Sequence, residues 1–589
     1  MRVKNILVFF VFVMGLFVYV YFVGFTSALP KNDESFNLEF SQRILFKAPS
    51  EPIQFFKNLY WDRTFRPNIH TSIGAVVVAL VPGGDVNWIQ GILTFLQYIF
   101  YFAGCLLIFR QTRSNFELAA LLLLAVSFPW IFGNMTIYSS EGMGLVALTW
   151  SFYCLQKINF AEFSIASNSR WISGLSIFAG LMILAKPVEG CLIFGSFILM
   201  SIFAFQEKVL RGWKTFLLVL LLLSGPIEFC IQTVALKQRH ESISLTHFAL
   251  SFLTFFPGIL FLKKRSLQNF TRLIVPCSFM VYAWYGPFSY ETFWWAFASS
   301  LGERAQLTGG RGDEVWFVFI ANAVVAYFGI AFASFMTLIA LVFTKWDKPR
   351  FLFTVALSFP LLAGAFTYNG DLRYYIFSGI GIFFVIFSSV RREGYKLKVA
   401  AVSVFALLFS YHSLSVFGKW EQLSFLSQPY LGIWPKTFER EEDKLLQIVS
   451  AVKSSIDLTP ENQFCLLLMV SKNPAMQLFD PWITTYLLRK EGYKTQFVMP
   501  SPHYQKNVAD RFEYLVKPEC CYVGVYPTEY IPAPVGHYLN DVGELFLKKD
   551  ADQKLDDLGY SYLKSLHWNF YNMDAELRIF QSNAGICRK

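Results

Sequence analysis

An acidic pair, Asp33-Glu34, stands directly after the first apolar run of the chain. The run follows Met1-Arg2-Val3-Lys4-Asn5 and continues almost unbroken to Phe25. Two basic residues ahead of it predict a cytoplasmic amino terminus, which puts the pair on the far side of a membrane. Ionisable groups held near the hydrocarbon boundary are costly and usually have a use. A carboxylate at that depth is placed to deprotonate an acceptor hydroxyl for a reagent carried on a lipid. The bland reading is an interfacial carboxylate marking the end of the span. Other charges fall on the same side. Tyr60-Trp61-Asp62-Arg63 and Arg66-Pro67-Asn68-Ile69-His70 follow in the same loop, and Glu141 and Lys186 sit at outer ends of spans. Arg304 and Arg311 lie in a later outer segment, roughly 288–314, and Arg373-Tyr374 opens a late apolar span. Charges gathered at one surface fit a catalytic cavity better than scattered anchors.

The elements that must position these residues are apolar helices. The 589 residues are 54% hydrophobic and 16% charged, with a mean hydropathy of +0.42. Soluble domains average about 25% charged, so the composition predicts a polytopic helical membrane protein. Apolar runs of about 17–25 residues give about 13 transmembrane helices between residues 5 and 417. Alternating sides from a cytoplasmic start leaves the basic loops inside, which accounts for the net charge of +10 without nucleic acid. That alternation requires the apolar stretch near 69–82 to lie in the outer interface rather than cross. The first outer loop then covers roughly 28–87. Residues 1–419 are expected to form the membrane domain. Residues 420–589, where polar helical stretches alternate with short apolar runs, are expected to form a soluble α/β domain on the outer side. Helices are expected near Glu439–Val452 and Thr484–Glu491, and strands near Phe464–Val470, Lys494–Val498 and Cys521–Val525. No glycine-rich nucleotide loop follows any of these strands. Cys465, Cys520, Cys521 and Cys587 fall in this part, where disulfides can form if it lies outside, though their pairing is not fixed by sequence.

On these residues the chain resembles the GT-C glycosyltransferases, in particular the protein O-mannosyltransferase and lipid A aminoarabinose transferase group. The shared features run in order. They are Asp33-Glu34-Ser35-Phe36 and Phe40-Ser41-Gln42 opening the first loop, the acidic Glu141 in Tyr138-Ser139-Ser140-Glu141, Gly180-Leu181-Met182-Ile183-Leu184-Ala185-Lys186, and Arg373-Tyr374. The family closes its first loop with His-Pro-Pro, where this chain has Arg66-Pro67-Asn68. No Trp-Trp-Asp occurs, which argues against the oligosaccharyltransferase branch.

The resemblance implies inverting transfer of a sugar from a polyprenyl-phosphate donor to an acceptor hydroxyl of a lipid, glycan or protein. Asp33 would be the base, with Glu34 second. The departing phosphate needs compensating charge, and the resemblance points to Arg373 and Lys186, then Arg304 and Arg311. Glu141 would pair with one of these cations. Arg66, Tyr374 and His70 would support the site, His70 more as a polar interface residue than as a ligand. No cofactor is expected. No Asp-x-Asp or His cluster calls for a metal, and a divalent ion stays open as an alternative. The location implied is a bacterial inner membrane, multi-pass, with the C-terminal domain periplasmic. Three competing readings stand beside this one: a flippase or transporter for a lipid-linked sugar, a ligase using a polyprenyl diphosphate, and a membrane-anchored assembly protein.

Overall fold

The structure is a computed structural model. It describes residues 3–24, 38, 41–42, 53, 69–81, 86–110, 115–127, 131, 135, 140–205, 207–222, 264–285, 346–363, 376–388, 403, 441–456, 458–467, 481–498, 520–525, 553, 555–570 and 573–584. These residues are mostly helical, with one small sheet. The chain divides into two compact units. The first comprises residues 1–25, 60–72 and 90–436, and the second residues 26–59, 73–89 and 437–589.

Apolar helices dominate the first unit: α1 (Val3–Gly24), then, after α2 (Ile69–Leu80), α3 (Val86–Phe109), α4 (Asn115–Ser127), α5 (Ser140–Gln156), α6 (Asn168–Ala185) and α7 (Pro187–Ala204). Then come α8 (Trp213–Leu222), α9 (Arg265–Tyr285), α10 (Lys348–Ala363) and α11 (Ile376–Ser388). Within α3 and α7, Trp88–Phe109 and Pro187–Ala204 are long and apolar enough to cross a membrane. The α2 helix has 12 residues. At 1.5 Å per residue it spans about 18 Å, short of a hydrocarbon core of about 30 Å. The expected spans at 245–262, 315–343 and 397–417 lie outside the described residues, apart from Ser403.

Tyrosine hydroxyls join helices through backbone carbonyls. Tyr19 Oη donates to Val126 O at 2.9 Å, Tyr98 Oη to Phe12 O at 3.0 Å and Tyr101 Oη to Ala125 O at 3.2 Å, binding α1, α3 and α4. Two prolines interrupt helical ladders, and in each case a neighbouring hydroxyl takes over. Pro276 lies inside α9, and the next residue, Cys277, donates its N–H to Ser176 Oγ of α6 at 2.9 Å. The second case, at Pro187, builds the candidate site. Apolar surroundings supply no water, so freed backbone groups must find such partners.

In the second unit β1 (Phe464–Leu467) lies between β2 (Thr495–Val498) and β3 (Tyr522–Val525), parallel to both. The unit also holds α12 (Glu441–Ser455) and α13 (Pro481–Lys490), the crossover from β1 to β2. A glycine-terminated cap ends α13. Gly492 has φ +91°, its N–H meets Arg489 O at 2.9 Å, and Tyr493 N meets Leu488 O at 3.1 Å. Strands β4 (Tyr560–Phe570) and β5 (Met573–Ser582) add antiparallel, giving the order β2-β1-β3-β5-β4. Leu38, Ser41 and Gln42 of the first loop are buried here, and Gln42 Nε2 donates to Tyr486 O at 3.2 Å. Cys465 is disulfide-bonded to Cys520, tying β1 to the approach to β3, and Cys521 is disulfide-bonded as well. Cys587 lies outside the described residues.

Candidate functional site

The α6–α7 junction follows from two residues. Proline cannot donate an N–H and disfavours a helical conformation in the residue before it. Lys186 accordingly leaves the helix, with φ −135° and ψ 92°, and Pro187 restarts it at the first position of α7. The bond lost is the one from residue 187 to Ile183 O. Tyr285 Oη, from the end of α9, fills that gap at 3.3 Å and also meets Leu184 O at 3.0 Å. The backbone on either side stays bonded: Lys186 N reaches Met182 O at 2.8 Å, and Gly190 N reaches Lys186 O at 2.8 Å. A Cβ on Gly190 would stand 2.6 Å from Ile183 Cα, so α7 folds this tightly against α6 only because residue 190 has none.

This break presents Lys186 to α5. Its Nζ lies 2.5 Å from Glu141 Oε1, with side-chain exposures of 12% and 4%. The other carboxylate oxygen, Oε2, accepts from Ser140 Oγ at 3.1 Å. Glu141 is in the first turn of α5 and Glu189, also buried, in the first turn of α7. Carboxylates are favourable at helix starts, where backbone N–H groups point outward. The ammonium at this helix break is fixed by a buried carboxylate, and its remaining N–H donors can orient a polar group. Among the described residues no group of three His, Cys, Asp or Glu is arranged to hold a metal ion.

No family model matches the chain, and no curated protein matches it. Among solved structures, the chain is similar to ArnT from Cupriavidus metallidurans bound to undecaprenyl phosphate. The identity is 11%, the TM-score is 0.49, and 98% of each chain is covered. For the apo state of the same protein the identity is 13% and the TM-score 0.41, again over 98% of each chain.

Of the residues singled out from sequence, the structure brings Glu141 and Lys186 into contact. His70 is buried in the first turn of α2, next to the buried Thr71 and Ser72. Asp33, Glu34, Arg66, Arg304, Arg311, Arg373 and Tyr374 lie outside the described residues. Sequence reasoning missed Ser140, Glu189 and Tyr285. Two of these carried a local signal. Ser140 adjoins Glu141 at a helix start, and Glu189 follows Lys186-Pro187 by one turn. Tyr285 is 99 positions beyond Lys186 and carried none.

Proposed function

We propose that this chain is an integral-membrane glycosyltransferase that moves a sugar from a polyprenyl-phosphate donor to an acceptor hydroxyl on the outer face of the membrane. The observation that carries the reading is the buried Glu141–Lys186 pair at the break before α7. Both residues belong to the ordered motif set on which the GT-C resemblance rests, and an ammonium fixed at a helix break suits a phosphate. ArnT, to which the chain is similar, is described as bound to undecaprenyl phosphate. The Cys465–Cys520 disulfide supports an oxidising surrounding for the C-terminal part, as on the outer side of a bacterial inner membrane.

In this reading Asp33, with Glu34 as second choice, takes the proton of the acceptor hydroxyl. The acceptor oxygen attacks the anomeric carbon opposite the phosphate, and the configuration inverts. The carbon–oxygen bond to phosphate breaks, and its electron pair leaves with the polyprenyl phosphate. Lys186, with Arg373 and then Arg304 and Arg311, offsets the charge that develops there. Glu141 and Ser140 hold the ammonium in place. Arg66, Tyr374 and His70 support the cavity.

The test is transfer of radiolabelled sugar from polyprenyl-phosphate donors in membranes, wild type beside Asp33→Asn. Transfer that disappears in correctly inserted Asp33→Asn is the expected result. Transfer that survives moves the base to Glu34. No transfer from any monophosphate donor removes this reading in favour of the diphosphate ligase or the transporter.

A further inference from the structure

Four segments of the first unit are knotted together at one end of its helices. They are the α5–α6 connection, the stretch between α7 and α8, the start of α9 and the start of α10. Phe160 stacks on Phe205 at 5.3 Å between centroids and meets Phe353 edge-on, also at 5.3 Å. Asn269 Nδ2 donates to Phe163 O at 2.7 Å, and Ser164 N donates to Glu207 Oε1 at 2.7 Å. Arg272 Nη1 donates to Ser169 Oγ at 2.7 Å and to Asn269 Oδ1 at 2.8 Å. Asn168 closes the α5–α6 connection by donating to Asn159 O at 3.1 Å and Glu162 O at 2.8 Å.

Residues 157–172, 205–216, 264–272 and 346–353 carry ten basic and three acidic residues, an excess of seven positive charges. Two of the three acids are already engaged, Glu207 by Ser164 and Asp347 by Arg350 at 2.7 Å. The cations that remain outward include Arg170, Lys208, Lys214, Lys264, Arg265 and Arg272, all exposed. Immediately beyond them the surface turns apolar. Trp213 is 71% and Phe216 67% exposed at the head of α8, followed by the outward Leu217, Leu220 and Leu221. A basic rim, an exposed tryptophan and then an apolar flank is the order in which a membrane is met from its headgroups inward.

We propose that this end of the bundle is a docking surface for anionic phospholipid headgroups, with Lys208, Lys214, Lys264 and Arg265 as its cations and Trp213 at the headgroup level. Charge complementarity selects the occupant. A zwitterionic headgroup carries its own amine and gains little from seven excess cations, whereas a phosphodiester without an amine gains at each. The proposal rests on the membrane placement given above and not on the transfer chemistry.

The test is native mass spectrometry of the full detergent-released chain, titrated with phosphatidylglycerol or with phosphatidylcholine of matched acyl chains. The wild type is compared with Lys208→Gln/Lys214→Gln/Lys264→Gln/Arg265→Gln and with a control, Lys490→Gln/Lys494→Gln. The milder Lys208→Gln/Lys214→Gln guards against misfolding of the fourfold variant. Wild type and control are expected to prefer phosphatidylglycerol by about tenfold. The preference should shrink in the double variant, vanish in the fourfold one, and weaken in 0.5 M salt on the order expected from screening. Equal retention of the two lipids by wild type, or an unchanged preference in the double variant, overturns the proposal. Failure of sugar transfer would leave these lipid counts unaltered, so the two ideas fail separately.

Discussion

Replacing Glu141 by leucine removes the buried carboxylate that the Lys186 ammonium, 12% exposed, now meets. Removing one partner of a buried pair costs about 3–5 kcal/mol, because the remaining charge keeps its desolvation penalty and loses its compensation. The residual exposure of Lys186 puts Glu141→Leu at the lower end, about 3 kcal/mol. Lys186→Met instead removes the ammonium from the Glu141 carboxylate, 4% exposed and more deeply buried. Ser140 still donates to it at 3.1 Å. A hydrogen bond to a charged group is worth about 1.5–3 kcal/mol, so this loss is also about 3 kcal/mol. The double variant removes both charges, and apolar replacements of similar volume are often neutral. It should therefore recover at least half of the summed loss, a coupling of about 3 kcal/mol. The assay is denaturant unfolding of all four proteins in lipid micelles, followed by tryptophan fluorescence, with sugar transfer measured on the same samples. A double variant that loses the sum of the two single losses would refute the contact. A double variant with recovered stability but transfer down by about a hundredfold or more would assign Lys186 to the reaction. Full transfer in that variant would remove Lys186 from the site while leaving the ion pair intact.

Tyr285→Phe should leave the Ile183 and Leu184 carbonyls without the hydroxyl that now meets them. It should cost about 1–3 kcal/mol in the same unfolding assay, and an unchanged stability would mean that another donor closes the break. Cys520→Ser should destabilise the C-terminal unit by about 4 kcal/mol, since its bond to Cys465 closes a 55-residue separation; thiol labelling of Cys465 in the variant but not in wild type checks that the bond forms. Burial pushes the Tyr560 phenol above its ordinary value of 10.0, and its hydroxyl donates to Cys520 O at 3.0 Å. A raised folded pKa gives stability that is fully present below the unfolded value and lost as pH rises through the folded one. The C-terminal unit should therefore weaken above about pH 10, and Tyr560→Phe should flatten that decline in a pH series of unfolding curves.

What was legible in the chain followed local chemistry. The break at Lys186-Pro187 carries a local signal, because proline acts on its own residue and the one before it. Strands β1, β2 and β3 begin within one residue of where short apolar runs start between polar stretches. The β4–β5 hairpin was not read. Tyr560–Phe570 mixes Ser561, Lys564, Ser565 and His567 into its pattern, and its pairing register shifts between Tyr562 and Lys564, so no clean alternation survives. The burial of Leu38, Ser41 and Gln42 in the second unit was equally hidden, because Gln42 meets Tyr486 across 444 positions.

The same contrast explains the candidate site. Proline marks in the sequence where a helix must open, but the group that accepts the opening comes from elsewhere. At Pro276 it is Ser176, 101 positions from the Cys277 N–H it receives, and at Pro187 it is Tyr285, about as far away. In water either break would be solvated and the choice of neighbour would matter little. In an apolar surrounding each freed group must find a fixed partner, so the broken helix is held in one geometry rather than many. Lys186 inherits that geometry. Its backbone is set by Pro187 and Tyr285 and its ammonium meets Glu141, so this cation is fixed in place, unlike a mobile surface charge.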